Sequence, residues 1–201
     1  TRWDYTYKSK YMLSGTFRAD GSSKFKKPWG YFPAASFGWN MHQEAFMKNI
    51  SVISNSKIRA SFGINGNDRV GNFDWYARLT QTPNGYSFNN GTPIGSVHVS
   101  AVENPDLKWE KTTSIDLGYE LGLFKNKIEF TVDLYRKTTR DLLLSAPLPP
   151  TSAFGSAFKN IGKLSNEGIE FTLNTINIQT KSFSWQSNFN IAFNRNKVLE
   201  L

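Results

Sequence analysis

The sequence predicts an all-β chain: an antiparallel up-and-down sheet of about seven strands, part of a larger transmembrane β-barrel. Three observations carry this. Apolar and polar residues alternate with a period of two through most of the 201 residues. The stretches joining those segments alternate between long and short. Aromatic residues supply 15% of a chain that is only 39% hydrophobic, while Asn, Ser, Thr and Gly are plentiful. Successive side chains of a strand point to opposite faces, so strands with one wet and one apolar face have this balance.

The strands follow in order. Over 11–18, Tyr11, Leu13, Gly15 and Phe17 alternate with Met12, Ser14, Thr16 and Arg18. Over 33–40, Pro33, Ala35, Phe37 and Trp39 oppose Ala34, Ser36, Gly38 and Asn40. Over 57–65, Ile58, Ala60, Phe62 and Ile64 oppose Lys57, Arg59, Ser61, Gly63 and Asn65. Over 113–121, Ile115, Leu117, Tyr119 and Leu121 oppose Ser114, Asp116, Gly118 and Glu120. Ile128, Phe130, Val132 and Leu134 alternate with Glu129, Thr131, Asp133 and Tyr135. Ile169, Phe171 and Leu173 alternate with Glu170, Thr172 and Asn174, and a last strand covers 183–194. Ile161 and Leu164 are out of step with Ile169, and a β-bulge near Asn166-Glu167-Gly168 would restore the phase.

The connections sort by length. Asp20 to Gly30, the stretch 66–107 and the Pro-rich Ser145 to Ala157 are long, whereas Phe124-Lys125-Asn126 and Asn177 to Lys181 read as hairpin turns. The link 41–56 carries Glu44-Ala-Phe-Met47 and reads as one helical turn. Long loops on one side and short turns on the other are the layout of an outer-membrane barrel. About seven strands do not close such a barrel, and an open edge in lipid leaves backbone groups unpaired. The chain 1–201 is therefore expected to be a partial barrel domain, with the closing strands elsewhere.

Several function classes fall away. A membrane helix needs about 20 predominantly apolar residues, and the longest strongly aliphatic run is Leu142 to Leu144. There is no cysteine, hence no disulfide framework or thiolate metal site. The net charge of +8 is scattered, with no basic run longer than Lys26-Lys27, which argues against nucleic acid. His42 and His98 are the only histidines, and neither has a carboxylate or nucleophile at a suggestive spacing. No catalytic set, metal site or cofactor motif is visible, so the chain does not read as an enzyme.

Chemistry concentrates on the polar faces and in one loop. Arg18, Lys57, Arg59, Asp116, Glu120, Glu129, Asp133 and Glu170 all lie opposite the apolar row. An Arg or Lys facing lipid near the midplane costs about 2–4 kcal/mol, so these charges face the lumen. There they pair with one another or a plug, with Arg18 and Arg59 as candidate substrate contacts. The apolar residues would meet outer-membrane lipid and lipopolysaccharide, with Trp39, Tyr119, Trp185 and Trp109 in interfacial girdles. The stretch 66–107 holds Phe73, Trp75, Tyr76, Tyr86 and Phe88 among polar residues. Aromatic faces stack on sugar rings, which makes Trp75, Tyr76 and Tyr86 candidate substrate contacts; packing against neighbouring loops or a partner is the competing role.

Seven segments together resemble a known family. They are Arg18-Ala-Asp-Gly-Ser-Ser-Lys-Phe25, Gly30-Tyr-Phe-Pro-Ala-Ala-Ser-Phe-Gly-Trp39, Glu44-Ala-Phe-Met47 and Lys57-Ile-Arg-Ala-Ser-Phe-Gly-Ile-Asn-Gly-Asn67. Further on come Asn104-Pro-Asp-Leu-Lys-Trp-Glu-Lys-Thr112, Tyr135-Arg-Lys-Thr-Thr-Arg-Asp-Leu-Leu143 and Asn160-Ile-Gly-Lys-Leu-Ser-Asn-Glu-Gly-Ile-Glu170. In this order and spacing they resemble the barrel of SusC/RagA-type TonB-dependent outer-membrane transporters. Lys24 stands where that family more often has Arg, and Ile64-Asn65 where a Thr-containing pair is common.

The resemblance implies a much longer protein of a Gram-negative outer membrane, with an upstream plug inside a barrel of about 22 strands. It implies a SusD-like surface lipoprotein as lid, energy from TonB–ExbB–ExbD, and glycans or peptides as cargo. A siderophore- or cobalamin-type receptor, or a surface barrel or adhesin without transport, are the rival readings. A soluble β-sandwich is the third, and it requires the apolar faces to bury one another.

Overall fold

The alternation is realised as one antiparallel sheet, in a computed structural model that describes residues 1–87 and 91–201. Phe88 lies outside the described residues. The strands are β1 (Arg2–Tyr7), β2 (Tyr11–Gly21), β3 (Trp29–Asn40), β4 (Ile53–Asn67), β5 (Arg78–Tyr86) and β6 (Ile94–Ala101), followed by β7 (Glu110–Leu123), β8 (Ile128–Arg140), β9 (Leu143–Pro147), β10 (Ser156–Asn160), β11 (Lys163–Gln179) and β12 (Ser184–Glu200). The main sheet has eight strands in the order β1-β2-β3-β4-β7-β8-β11-β12. The two hairpins β5–β6 and β9–β10 stand apart as two-stranded sheets. Strand follows neighbouring strand, the up-and-down order that short antiparallel connections produce.

The expectation of seven strands is corrected to eight. The added strand is β1, whose Trp3, Tyr5 and Tyr7 alternate with Arg2, Asp4 and Thr6 and pair with Gly15, Leu13 and Tyr11. It turns into β2 through Lys8 and Ser9, both at positive φ. The turn at Phe124-Lys125-Asn126 is as expected, with all three residues left-handed. The last hairpin closes a little later than expected, by Thr180 N–H to Phe183 O at 2.8 Å, because β11 runs on to Gln179. In the link 41–52 the helical turn is a 3-10 turn at Met41–Gln43, before the segment expected to hold it.

The bulge also lies elsewhere. β11 pairs with β8 in unbroken register from Lys163↔Arg140 to Thr175↔Ile128. The irregularities face β12, between Lys163 and Leu164 and between Ile176 and Ile178. Leu164 pairs with Thr139 in the same unbroken register and so lies on the face opposite Ile169.

Register makes the two faces continuous across strands. On one, Trp39, Ile58, Tyr119, Val132, Phe171 and Ile191 form a lateral row; beside it run Phe37, Ala60, Leu117, Leu134, Ile169 and Phe193. Leu13, Phe37, Phe62, Leu117, Leu134 and Phe193 are 41–58% exposed. A sandwich packs a second sheet about 10 Å from such a face and buries it. Among the described residues no second sheet covers this face.

The connections separate by end. Lys8 to Lys10, 41–52, 124–127 and 180–183 lie at one end; 22–28, 68–109 and 141–162 lie at the other. At the short-turn end Glu44 accepts from Lys10 Nζ at 2.7 Å, Tyr11 Oη at 2.8 Å and Trp39 Nε1 at 3.3 Å. Hydrogen bonds from Lys10 and then Tyr11 and Trp39 hold its carboxyl down at about 2, from an ordinary 4.5. The link 41–52 is thereby pinned to the β1–β2 turn.

Candidate functional site

Two constellations stand out: a charged row on the polar face, and a packed cap where the long loops meet. The row begins with Arg59 on β4. In register it faces Gly118 on β7, then Asp133 on β8, then Glu170 on β11. Arg59 Nη2 donates to Asp133 Oδ1 at 2.7 Å, and its Nε lies 2.8 Å from Glu120 Oε1. That Nε is buried with no aligned hydrogen-bond acceptor, so its tie to Glu120 is a charge contact. The guanidinium crosses β7 because Gly118 has no side chain. A Cβ there would lie 2.6 Å from Asp133 Oδ1 and 2.9 Å from Arg59 Cζ.

One row along, Asp116 accepts from Ser61 Oγ at 3.1 Å. Lys57, Arg59, Ser61, Asp116 and Asp133 line one hollow of about 410 Å³ with Asp4, Ser14 and Ser36. The structure thus brings together Lys57, Arg59, Asp116 and Asp133, and Glu120 joins them through Arg59. Glu129 and Glu170 do not line the hollow; their register neighbours are Gly122 and Asn174, and Asp133 and Ala192. The charges are half-exposed, a setting in which an ion pair contributes about 0–1 kcal/mol. Their order, rather than their strength, is what the wall supplies.

The cap is where the molecule has a buried apolar core. Phe25, Phe32, Val70, Leu107 and Trp109 are 1–8% exposed and cluster together, with Ile64, Trp75, Leu143 and Phe158 packed against them. The Trp109 ring meets Phe25 and Phe32, each at 5.4 Å between centroids. Its Nε1 donates to Pro28 O at 3.0 Å. Trp109 is therefore a core residue and not an interfacial one, which corrects the expectation. Phe32 occupies space left by Gly30 and Gly66, where any Cβ would strike its ring.

Polar bonds tie the three loops further. Ser22 Oγ donates to Asp68 Oδ2 at 2.9 Å and Lys24 Nζ to Asp68 O at 3.1 Å. Asn104 Nδ2 donates to Phe158 O at 2.7 Å. Asn160 bridges Lys108 and Asp141 through their carbonyls at 2.7 and 2.9 Å. Glu110 accepts from Asn67 Nδ2 at 3.0 Å and from the Leu143 N–H at 3.2 Å.

The aromatic candidates part company here. Trp75 packs against the cap with its Nε1 buried and unpaired. Tyr76 sits edge-on to it at 5.1 Å and is 56% exposed. Tyr86 ends β5 opposite Ile94 and is exposed. The stretch 66–107, read as loop, holds the β5–β6 hairpin, and 145–157 holds the inner ends of β9 and β10. Arg18 lies beside the cap and away from the charged row: its guanidinium is 5.4 Å from the Phe32 ring centroid and pairs with Asp20 at 2.8 Å.

Sequence reading missed the cap. Phe25 and Phe32 lie some 75 residues before Leu107 and Trp109, and no one strand's period links the two pairs. Phe32 alone carried a signal, as an aromatic on the polar parity of β3. Among the described residues no three of His, Asp or Glu are grouped to hold a metal ion. His42 Nδ1 faces the Ser56 N–H at 3.5 Å, and His98 pairs with Thr80 in the outer hairpin.

The comparisons with known proteins agree with this geometry. Residues 1–198 match the family model described as TonB dependent receptor-like, beta-barrel. The chain is 39% identical over 202 residues to a TonB-dependent receptor of Formosa agariphila, covering 100% of this chain and 19% of that protein. It is 36% identical over 207 residues to the TonB-dependent receptor SusC of Bacteroides thetaiotaomicron, covering 100% of this chain and 20% of that protein. Among solved structures it superimposes on the RagAB peptide transporter with a TM-score of 0.88 at 27% identity, over 100% of this chain and 22% of that one. The RagAB peptide importer in its open-open state gives 0.89 at 27% identity, over 100% and 21%. The chain spans about one fifth of the length of these relatives.

Proposed function

This chain belongs to the TonB dependent receptor-like β-barrel family, and on that premise we propose that it forms wall and outer vestibule of a larger outer-membrane importer. The family is one of transporters and receptors, not of enzymes, and its barrels lie in the outer membrane. The plug, the segment that meets TonB and the closing strands belong to the rest of the longer protein. Energy comes from TonB–ExbB–ExbD, a SusD-like surface lipoprotein closes over the long-loop end, and the cargo is a glycan or an oligopeptide.

The observation that carries this reading is the division of one sheet into two unlike faces, with the two longest connections, 68–109 and 141–162, at the same end. The open apolar rows suit acyl chains. The polar face, with Glu120 and Asp133 each paired to Arg59, suits a water-filled lumen holding a plug. Lys57, Asp116, Glu129 and Glu170 extend that lumenal field. In the vestibule, Tyr76, Tyr86 and Arg18 are the residues we assign to the cargo, and Trp75 supports them through the cap.

The test is extraction of the natural full-length protein and identification of what stays with it. A chain several times longer that needs detergent and retains a surface lipoprotein supports the paired importer. A protein recovered without detergent and alone overturns it. Retention of a lipoprotein also decides against the siderophore-type and adhesin readings.

A further inference from the structure

We infer that the polar face, between the cap and the charged row, carries a subsite for an acidic sugar residue, with its carboxylate held by Lys137 and its hydroxyls by Thr16, Asn65 and Ser114. The inference rests on the reading that this face lines the lumen of an importer, and it names the cargo as an anionic glycan. Register sets the row. Thr16 on β2 faces Ala34 on β3, followed by Gly63 on β4, Ser114 on β7 and Lys137 on β8. Each of these five strands has both of its sheet neighbours in the chain, so the side walls of the site are complete. One step of two residues, about 7 Å along a strand, leads outward from Thr16 to Arg18 beside the cap. Two such steps inward from Ser114 reach Gly118 and the Arg59–Asp133 pair.

The row is sunken because its middle is small. A hollow of about 370 Å³ opens over Ala34 and Gly63, with Thr16, Asn65, Ser114 and Lys137 around it. A Cβ on Gly63 would meet the Ala34 Cβ at 3.4 Å, an ordinary contact. The polar side chains on either side are already engaged: Ser14 with Ser36 at 2.6 Å, Ser61 with Asp116 at 3.1 Å and Thr112 with Thr139 at 2.9 Å. The four around the hollow are not. Among the described residues Thr16, Asn65 and Ser114 have no side-chain hydrogen bond, and Lys137 has no ion-pair partner. The Lys137 Nζ lies 5.4 Å from the Tyr135 ring centroid. Asp116 lines the same hollow, with its Oδ2 held by Ser61.

These groups set what fits. Hydroxyls and an amide both donate and accept, as sugar hydroxyls do, and an ammonium is a compact point charge for a carboxylate. A peptide bound irrespective of its sequence adds to an open strand edge through backbone bonds. Here the strands are paired on both sides, so only side chains offer contacts, and most of those are hydroxyls. The free cation is Lys137, whereas the nearby carboxylate of Asp116 is engaged. A ring that carries a negative charge therefore gains a partner that a neutral or basic one does not. The volume is in the class that takes a small ligand.

The test uses the full-length transporter in a neutral detergent, with native mass spectrometry of bound trisaccharides. Trigalacturonate and triglucuronate are the acidic probes, galactotriose and maltotriose their neutral counterparts, and triglutamate the peptide of like charge. An acidic trimer is expected to bind about ten-fold more tightly than its neutral counterpart and than triglutamate. Lys137→Gln removes that margin, about ten-fold, the low end for a hydrogen bond to a charged group, and leaves the neutral trimer unchanged. Gly63→Val fills the hollow from its floor and weakens acidic and neutral trimers alike. Binding of neither acidic trimer, equal binding of acidic and neutral trimers, tighter binding of triglutamate, or acidic binding unaltered in both variants each overturns the subsite. So does a lower thermal midpoint of Lys137→Gln with sugar binding intact, since a plug carboxylate then holds the lysine. All of these leave the transporter reading standing. A protein that stays in solution without detergent overturns both.

Discussion

Arg59 on β4 donates to Asp133 on β8 at 2.7 Å although β7 lies between them, and Gly118 is the gap through which it reaches. Two strands that share no backbone pairing are thus joined on the polar face. Removing the pair and filling the gap should differ. Arg59→Met in the full-length protein is expected to lower stability by no more than about 1 kcal/mol, because both partners are half-exposed. Gly118→Leu forces the guanidinium and carboxylate apart together and leaves both charges without their partner. Thermal midpoints in detergent should rank Gly118→Leu below Arg59→Met; the reverse order would mean the crossing has no structural role.

The cap predicts a local loss. Trp109 is 8% exposed, touches two buried rings and bonds Pro28 O. Trp109→Ala should cost about 3–5 kcal/mol of loop packing, as large buried residues do. The strands are held by their own ladders, so the loss stays at that end. Limited proteolysis is expected to open 22–28 and 68–109 while the sheet remains resistant. Cutting within β7 or β8 instead would show that the cap and the wall unfold as one.

Trp75 and Tyr76 should separate in a binding assay. Tyr76 is exposed and Trp75 packs on the cap. Tyr76→Ala is expected to weaken cargo binding about 2- to 10-fold, the worth of one aromatic stack, with unchanged protease resistance. Trp75→Ala should weaken binding and loosen the loops together. If Tyr76→Ala leaves affinity unaltered in the isolated transporter, the vestibule assignment fails.

Glu44 gives a pH dependence of definite sign. Its folded value of about 2 lies below the ordinary 4.5, so it stabilises the charged, folded form. That contribution is complete above pH 4.5 and is lost as pH falls through about 2. The gap in thermal midpoint between wild type and Glu44→Gln should therefore be widest near neutrality and close toward pH 2. A gap that persists unchanged at pH 2 would contradict the hydrogen-bonded carboxylate.

The strand β1 and the bulge of β11 show how local and distant information divide. Trp3, Tyr5 and Tyr7 carry the same period-two signal as the other strands, yet the seven strands expected from the sequence leave β1 out. The register shift opposite β12 carries no such signal. A bulge is created by the mismatch of two strands, and neither strand alone records it.

What the amino-acid order decided by itself is which side of each strand is wet. The pleat alternates side chains within a single strand, and no partner is needed to read it. The same holds for where the chain turns, at Lys8-Ser9 and Phe124-Lys125-Asn126, whose backbone conformations are local. Tertiary structure alone decided the lateral rows, the reach of Arg59 over Gly118 and the assembly of Phe25, Phe32, Leu107 and Trp109 into a cap. These depend on inter-strand register and on loops meeting across the end of a sheet. Both are set by pairing between residues tens of positions apart, which no periodicity along one segment encodes.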